Sequence, residues 1–304
     1  MAGPPAETPP PTPSVHKPVL LREVLELLDL RPGLTVVDGT VGGGGHSRHI
    51  LEHIGPAGML VGLDRDQSML ARAAVVLSAP NCRLRQASYA ELPQVLEDLG
   101  IGQVDRVLLD LGLSSDQLAD AARGFGFQAA GPLDMRFDES QGTPAWQLLE
   151  QLDAAALEEI FHRYGEERFA GRIAARIVER RRLEPVRTAP DLAAVVEAAV
   201  PAKFRREARK HPATRIFQAL RIAVNRELEH LETAVGATLP GCLAPGGRLV
   251  VITFHSLEDR IVKHAFRDKH RWQEQTSKPV IPRATEQRIN PRARSAKLRA
   301  AVRR

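Results

Sequence analysis

Between residues 34 and 109, four short apolar runs (34–37, 59–63, 82–86 and 104–109) alternate with three stretches of helical spacing (47–53, 67–77 and 92–99). Parallel strands need crossovers about this long, and a helix in each crossover covers a face of the sheet, so the alternation predicts βαβ units. A further helical pattern precedes them, from Leu20 to the stop at Pro32-Gly33. The alternation ends near Ser115. Residues 117–214 hold no convincing strand, only a Gly/Phe-rich loop and helical stretches at 144–152, 155–164, 168–182 and 191–199. One long amphipathic helix is expected over 215–239, with Thr214 as its N-cap. Pro240-Gly241 stops it, and a strong strand follows at 248–254. The expectation is an α/β fold, a doubly wound, mostly parallel sheet in two pieces (15–116 and 215–304), interrupted by an all-helical domain at 117–214.

Composition bounds the rest. Hydrophobic residues make up 43% and charged residues 26%, which is ordinary for a globular chain and excludes wholesale disorder. Six prolines in the first thirteen residues mark 1–14 as a disordered leader, without the basic end or apolar stretch of a signal peptide. No apolar run is long enough to span a bilayer. Cys82 and Cys242 alone give no disulfide framework, and a reducing, cytoplasmic setting is expected. Net charge is +5, but twelve Lys/Arg stand against three Asp/Glu from Arg267 to the end. That tail carries nine positive charges and leaves the remainder four negative, which suggests a polyanionic partner.

The run 38–47, Asp-Gly-Thr-Val-Gly-Gly-Gly-Gly-His-Ser, sits between the first strand and its helix. Its glycines permit a tight turn and a close approach of backbone to ligand. Asp64 ends the second strand, where a carboxylate can accept hydrogen bonds from ribose hydroxyls. A dinucleotide fold shares both features. Asp38 shifts the balance, since a carboxylate at that turn repels a pyrophosphate and attracts the cationic ammonium and sulfonium of S-adenosylmethionine. Tyr89, after the third strand, is placed either to pack on an adenine or simply to close the core edge. The fourth strand runs into Asp110-Leu111-Gly112-Leu113-Ser114-Ser115-Asp116-Gln117. At the carboxyl end of an open sheet, Asp110, Ser114 and Ser115 are candidate catalytic acceptors for a target amine.

With these residues the chain resembles the bacterial 16S ribosomal RNA cytosine-N4 methyltransferase family, over residues 16 to 304. The resemblance rests on the runs 16–21, 38–47, 64–66, 110–117, 123–127, 132–136, 211–221, 254–260 and 290–299. It implies an S-adenosylmethionine-dependent methyltransferase sheet, with S-adenosylmethionine contacted by Gly44, Gly45, His46, Asp64, Tyr89, Asp110 and Gln117. It also implies 16S ribosomal RNA, within the small ribosomal subunit, as partner. Two departures stand out: Tyr89 where the family commonly has Phe, and Gly126 where it has Ser.

Other clusters carry less. His255-Ser256 with Glu258 and Asp259 reads as a turn bordering the pocket, with no metal-ligand spacing. Arg168, Arg172, Arg176 and Arg180 form a stripe at helical spacing, either a solvated face or a phosphate contact. Arg215 and Gln218, on a polar face with Arg221 and Asn225, are candidate substrate contacts. Phe125 and Phe127 either stack on the target base or anchor a loop. Arg292 and Arg294 are candidate phosphate contacts, in a segment that reads as an edge strand returning to the sheet. Two other functions fit part of the pattern. A nicotinamide-dependent oxidoreductase would share the sheet and glycines but not Asp38. A non-catalytic RNA-binding factor would explain the tail but leave the strand-end acids idle.

Overall fold

The computed structural model describes residues 17–127, 129–207 and 211–304; the expected disordered leader, 1–14, lies outside them. In chain order the first elements are α1 (Leu21–Leu28), β1 (Thr35–Asp38), α2 (Gly45–Ile54), β2 (Met59–Asp64), α3 (Gln67–Val76), β3 (Cys82–Gln86), α4 (Leu92–Asp98) and β4 (Val104–Asp110). Helices follow: α5 (Ser115–Ala119), α6 (Ala145–Gln151), α7 (Ala154–Gly165), α8 (Ala170–Arg181), α9 (Ala189–Ala199), α10 (Ala202–Glu207), α11 (Thr214–Asn225), α12 (Glu227–Thr233) and α13 (Leu239–Cys242). The chain closes with β5 (Leu243–Thr253), α14 (Ser256–Phe266), β6 (Trp272–Glu274), α15 (Ala284–Ile289) and β7 (Lys297–Arg303).

The sheet runs β3-β2-β1-β4-β5-β7-β6, and the β1–β2, β2–β3, β1–β4 and β4–β5 pairs are parallel. Its central strands read as unbroken apolar runs because both faces are covered: Val36, Val37, Val107, Leu108, Leu109 and Val250 are fully buried. β3 carries exposed Arg83 and Arg85, as a charged edge strand should. From β1 the chain moves outward to β2 and β3, then returns past β1 to β4. The order therefore reverses between β1 and β4, the point at which open α/β sheets bind ligands beyond their carboxyl ends.

Contacts divide the chain into two compact units: one of the chain up to Asp110 with Cys242–Ile252 and Gln275–Arg304, the other of Leu111–Gly241 and Thr253–Glu274. The helical unit is thus larger than the expected 117–214 insertion. The reason is packing. α11 buries Ile216, Phe217, Ala219 and Leu220 in the same apolar cluster as Leu157 and Phe161 of α7.

Three local expectations are corrected. The helix over 215–239 is broken. α11 stops at Asn225, Arg226 takes a left-handed conformation (φ 51°), and a π-turn at Ala234–Thr238 follows α12. The Asn225 side chain is held from outside the helix, its amide donating to the Met135 carbonyl (2.7 Å) and its oxygen accepting from the Phe137 N–H (2.7 Å). Thr214 is not a cap but the first helical residue; Ala213 precedes it with no side-chain cap. Lastly, β7 is not an edge strand. It lies between β5 and β6, with Leu298, Arg299, Ala300 and Ala301 all buried.

Candidate functional site

The switch point between β1 and β4 is lined by carboxylates. Asp38, at the end of β1, is 1% exposed. It accepts from the Ser47 hydroxyl (2.7 Å) and the Thr40 N–H (3.2 Å), bracing the glycine loop from inside. Burial holds its carboxyl above the usual range, against the pull of the Ser47 hydrogen bond and of His46. Asp110, at the end of β4, donates its backbone N–H to the Thr40 hydroxyl (2.6 Å). Thr40 thereby ties the loop after β1 to the tip of β4.

His46 stands in the first turn of α2 and is 5% exposed. Its Nε2 lies 2.9 Å from the Val19 carbonyl, an acceptor only, so that nitrogen carries the hydrogen. Its Nδ1 faces Asp110 Oδ2 at 3.5 Å. Burial lowers its pKa, opposed by the Asp38 charge. Two acids and one imidazole are thus gathered at the ends of two adjacent strands.

Asp64, at the end of β2, accepts from the Gly42 N–H and the Asp66 N–H (2.9 Å each). Each carboxylate oxygen has two acceptor sites, so a ribose hydroxyl can be taken as well. Burial pushes Asp64 up to about 7, with the Asp66 N–H pulling the other way. Tyr89 opens a 3-10 turn held by a reciprocal Ser88/Glu91 cap. Gly39 is the residue that sequence reasoning missed. A Cβ there would sit 2.5 Å from Leu109 Cδ2 and 2.9 Å from Tyr89 Cβ, so only glycine lets the loop lie against both. Gly44 is needed for its backbone (φ +83°), which ends the loop and starts α2. Thr40 and Ser47 were overlooked too, since their roles are visible only once β4 and α2 are in place. Gly45 is the first residue of α2.

These features fit S-adenosylmethionine. Backbone without side chains lies beside an aromatic ring, a carboxylate ends β2, and two buried acids face a cationic group. Among the described residues no cluster of His, Cys, Asp and Glu could hold a metal ion.

In the helical unit the expected residues are spent internally. Ser114 caps α5, its hydroxyl accepting from the Gln117 N–H (3.0 Å) while the Gln117 side chain accepts from the Ser114 N–H (2.9 Å). Ser115 is the first residue of that helix. Phe125 is 4% exposed and stacks on Phe137 at 5.8 Å, so its ring is core and not a platform for a base. Phe127 packs on Phe217 and His211 at 4.7 and 4.8 Å. Arg215 donates to the Glu166 carbonyl (2.8 Å) and Gln218 to the Tyr164 carbonyl (3.1 Å). Both satisfy carbonyls around the C-terminus of α7 that the helix leaves unpaired.

The turn expected at 255–259 is instead the capped start of α14, with His255 as N-cap and Glu258 accepting from the Phe254 N–H (2.8 Å). In the arginine stripe, Arg176 and Arg180 pair with Glu179 and Glu184, and Arg168 precedes α8 and covers the Phe169 and Phe204 rings. That favours the solvated face. Arg292 and Arg294 lie in the sheet unit, in a 3-10 turn (Pro291–Ser295) before β7.

Comparison with known proteins agrees with this geometry. The model of the MraW methylase family matches residues 13–304. The ribosomal RNA small subunit methyltransferase H of Trichlorobacter lovleyi is 49% identical, over 94% of this chain and 97% of its own. That of Solidesulfovibrio magneticus is also 49% identical, over 95% of each. Among solved structures, a putative rRNA methylase from Clostridium thermocellum aligns with 93% of this chain and 95% of its own, at 11% identity and a TM-score of 0.46.

Proposed function

The chain belongs to the MraW methylase family, and from that premise we propose that it methylates N4 of a cytosine in 16S ribosomal RNA, using S-adenosylmethionine. The names of its relatives supply the small-subunit RNA. The observation that carries the chemistry is the pair of acids, Asp38 and Asp110, at the sheet's switch point with His46 against Asp110. When bound, S-adenosylmethionine supplies an electrophilic methyl group on a sulfonium. Asp64 would accept from its ribose hydroxyls, Tyr89 would pack on its adenine, and Asp38 with the 42–45 backbone would hold its cationic end.

Asp110 then orients the nucleophile. The exocyclic nitrogen of cytosine has its lone pair delocalised into the ring, so it attacks poorly unaided. A carboxylate accepting from the amino hydrogens returns electron density to that nitrogen and fixes its approach. Ser114 and Ser115 are the further acceptors we assign to this task. The amine loses its proton after alkylation, so Asp110 need not be a strong base. The target base must be unpaired or turned out of its stack. Such a substrate places the protein in the cytoplasm; among the described residues no helix is long and apolar enough to cross a membrane.

The test is direct. Small subunits lacking the modification are incubated with the protein and methyl-labelled S-adenosylmethionine, and the 16S RNA is digested to nucleosides for mass spectrometry. Label in N4-methylcytidine, lost with Asp110→Asn, is the expected result. Label on another atom, or none, would refute the proposal.

A further inference from the structure

We propose that the helical unit carries a separate RNA contact, a pocket that takes one unpaired nucleotide, with its base on Trp146 and its phosphate on Arg182 and Arg187. The inference rests on the reading of RNA as substrate and names a site for it outside the sheet. The first turn of α6, the C-terminus of α8 and residues 182–187 surround a cavity of about 280 Å³. That lies just below the usual range for small-molecule pockets, room for a nucleoside and not for a folded segment.

The lining has the chemistry of a nucleotide. Trp146 is half-buried, and its backbone N–H donates to the Leu133 carbonyl (2.8 Å), which fixes where the indole begins. The guanidinium of Arg187 sits 5.3 Å from the indole centroid. A planar base can stack on either surface, and such stacking tolerates any base. Arg187 is 60% exposed, and its nearest carboxylate, Glu150, stands 3.7 Å off and is half-exposed itself. That loose pair leaves the guanidinium able to turn to a phosphate.

Arg181 forms the fixed wall. Its Nη1 donates to the carbonyls of Leu149 and Leu152 (2.6 Å each), ending α6 and holding the guanidinium in place. Arg182 is exposed at the rim. Three arginines therefore line the cavity against one acid, Glu150. Elsewhere in this unit Arg168 also lies over aromatic rings, at 4.8 Å from Phe169 and 4.3 Å from Phe204. Those rings pack with each other at 5.1 Å, so the platform there is already covered. An acidic peptide would use the arginines but gain little from the indole.

The indole is its own reporter. The chain has two tryptophans, and Trp272 is 1% exposed behind Phe266. Titrating W272F protein with hexauridylate should quench the remaining fluorescence saturably. The same titration on the unaltered protein, where buried Trp272 adds a constant background, covers a failure of W272F to fold. R182A/R187A should weaken the quenching interaction about tenfold and flatten its salt dependence by roughly 1.4 log units, about 0.7 for each phosphate contact on a single strand. Binding seen by anisotropy without quenching, no binding at low salt, or quenching unmoved in the double variant would overturn the proposal. So would equal quenching by hexaglutamate. Quenching does not depend on methyl transfer. If it occurs while 16S RNA gains no N4-methylcytidine, the pocket stands and the proposed reaction falls; if methylcytidine forms without quenching, the reaction stands and the pocket falls.

Discussion

Polar side chains do opposite things in the two units. At the strand ends of the sheet unit, Asp38 and Asp64 are held where their ionised forms are disfavoured, and the neighbouring imidazole of His46 is pushed toward neutrality. Along α11 of the helical unit, Arg215, Gln218, Arg221 and Asn225 each reach a carbonyl or a carboxylate of their own unit. Arg221 and Glu227 are a buried two-bond pair (2.8 and 2.9 Å), and Glu227 holds Arg221 in its charged form against the cost of burial. Strained electrostatics mark a site, whereas satisfied polarity marks a scaffold. Polarity alone, which is all a helical-wheel pattern offers, does not separate them.

The contrast is broken most severely at Arg221. Arg221→Ala leaves the buried Glu227 without its partner, and a cost of about 3–5 kcal/mol in stability is expected. Denaturant unfolding measures it; a loss below about 1 kcal/mol would mean that α11 is not braced by this pair. In the sheet unit the same test should invert. Asp110→Asn keeps the size of the side chain and should leave stability nearly unchanged, while single-turnover methyl transfer at saturating S-adenosylmethionine falls about 10²–10³-fold. A near-normal rate there would confine Asp110 to cofactor binding.

Asp64 tests both sides at once. Its pKa of about 7 in the folded chain lies above the ordinary 3.8, so the folded state holds a proton that the unfolded state has lost. Stability contributed by this group should therefore decline as pH rises from about 4 to 7 and level off above. Cofactor affinity should move the other way, because the ionised carboxylate is the better acceptor for ribose hydroxyls. Asp64→Ala should abolish both trends and weaken S-adenosylmethionine binding by about 1.5–3 kcal/mol at pH 8. Calorimetry across that range decides, and a flat profile in the unaltered protein removes the proton from the account.

The same contrast explains what was legible in the residues. The central strands were read correctly because burial on both faces forces unbroken apolar runs. The placement of Asp38, Asp64 and Asp110 at strand ends followed from that. The break after Asn225 was hidden, since it depends on Met135 and Phe137, about ninety residues away in the chain. The assignment of α11 to the helical unit was hidden likewise, because its apolar face fits either neighbour until α7 is seen against it. Gly39 could not be told from the other glycines of its loop without Leu109 and Tyr89. Phe125 and Phe127 read as a stacking platform only because aromatic residues in a glycine-rich loop look exposed; Phe137, Phe217 and His211 cover them.

The smallest expected effect falls on the basic tail, where the two classes of polar residue meet. Ala293 is fully buried between Arg292 and Arg294, so the turn at Pro291–Ser295 is pinned and holds both arginines in fixed positions. Arg294 is exposed and Arg292 half-buried. The same segment is clipped to the start of the described chain: Asn290 donates to the Lys17 carbonyl (3.1 Å), and Glu286 accepts from the Leu20 N–H (2.8 Å). Val19, between those two residues, offers its carbonyl to His46. Either a phosphate contact or a brace for the His46 side of the site is therefore open to these arginines. If they meet phosphates, replacing both by Ala should weaken RNA binding about equally for all sequences and flatten its salt dependence by up to roughly 0.7–0.9 log units per lost contact. Cofactor affinity should stay put, because charge removed from an exposed turn is screened by solvent. If they brace the site, S-adenosylmethionine affinity falls while the salt slope holds. Titrating both ligands against the double variant at three salt concentrations separates the two. The phosphate reading is the stronger, since Arg294 turns its charge to solvent, where a brace would have turned it inward.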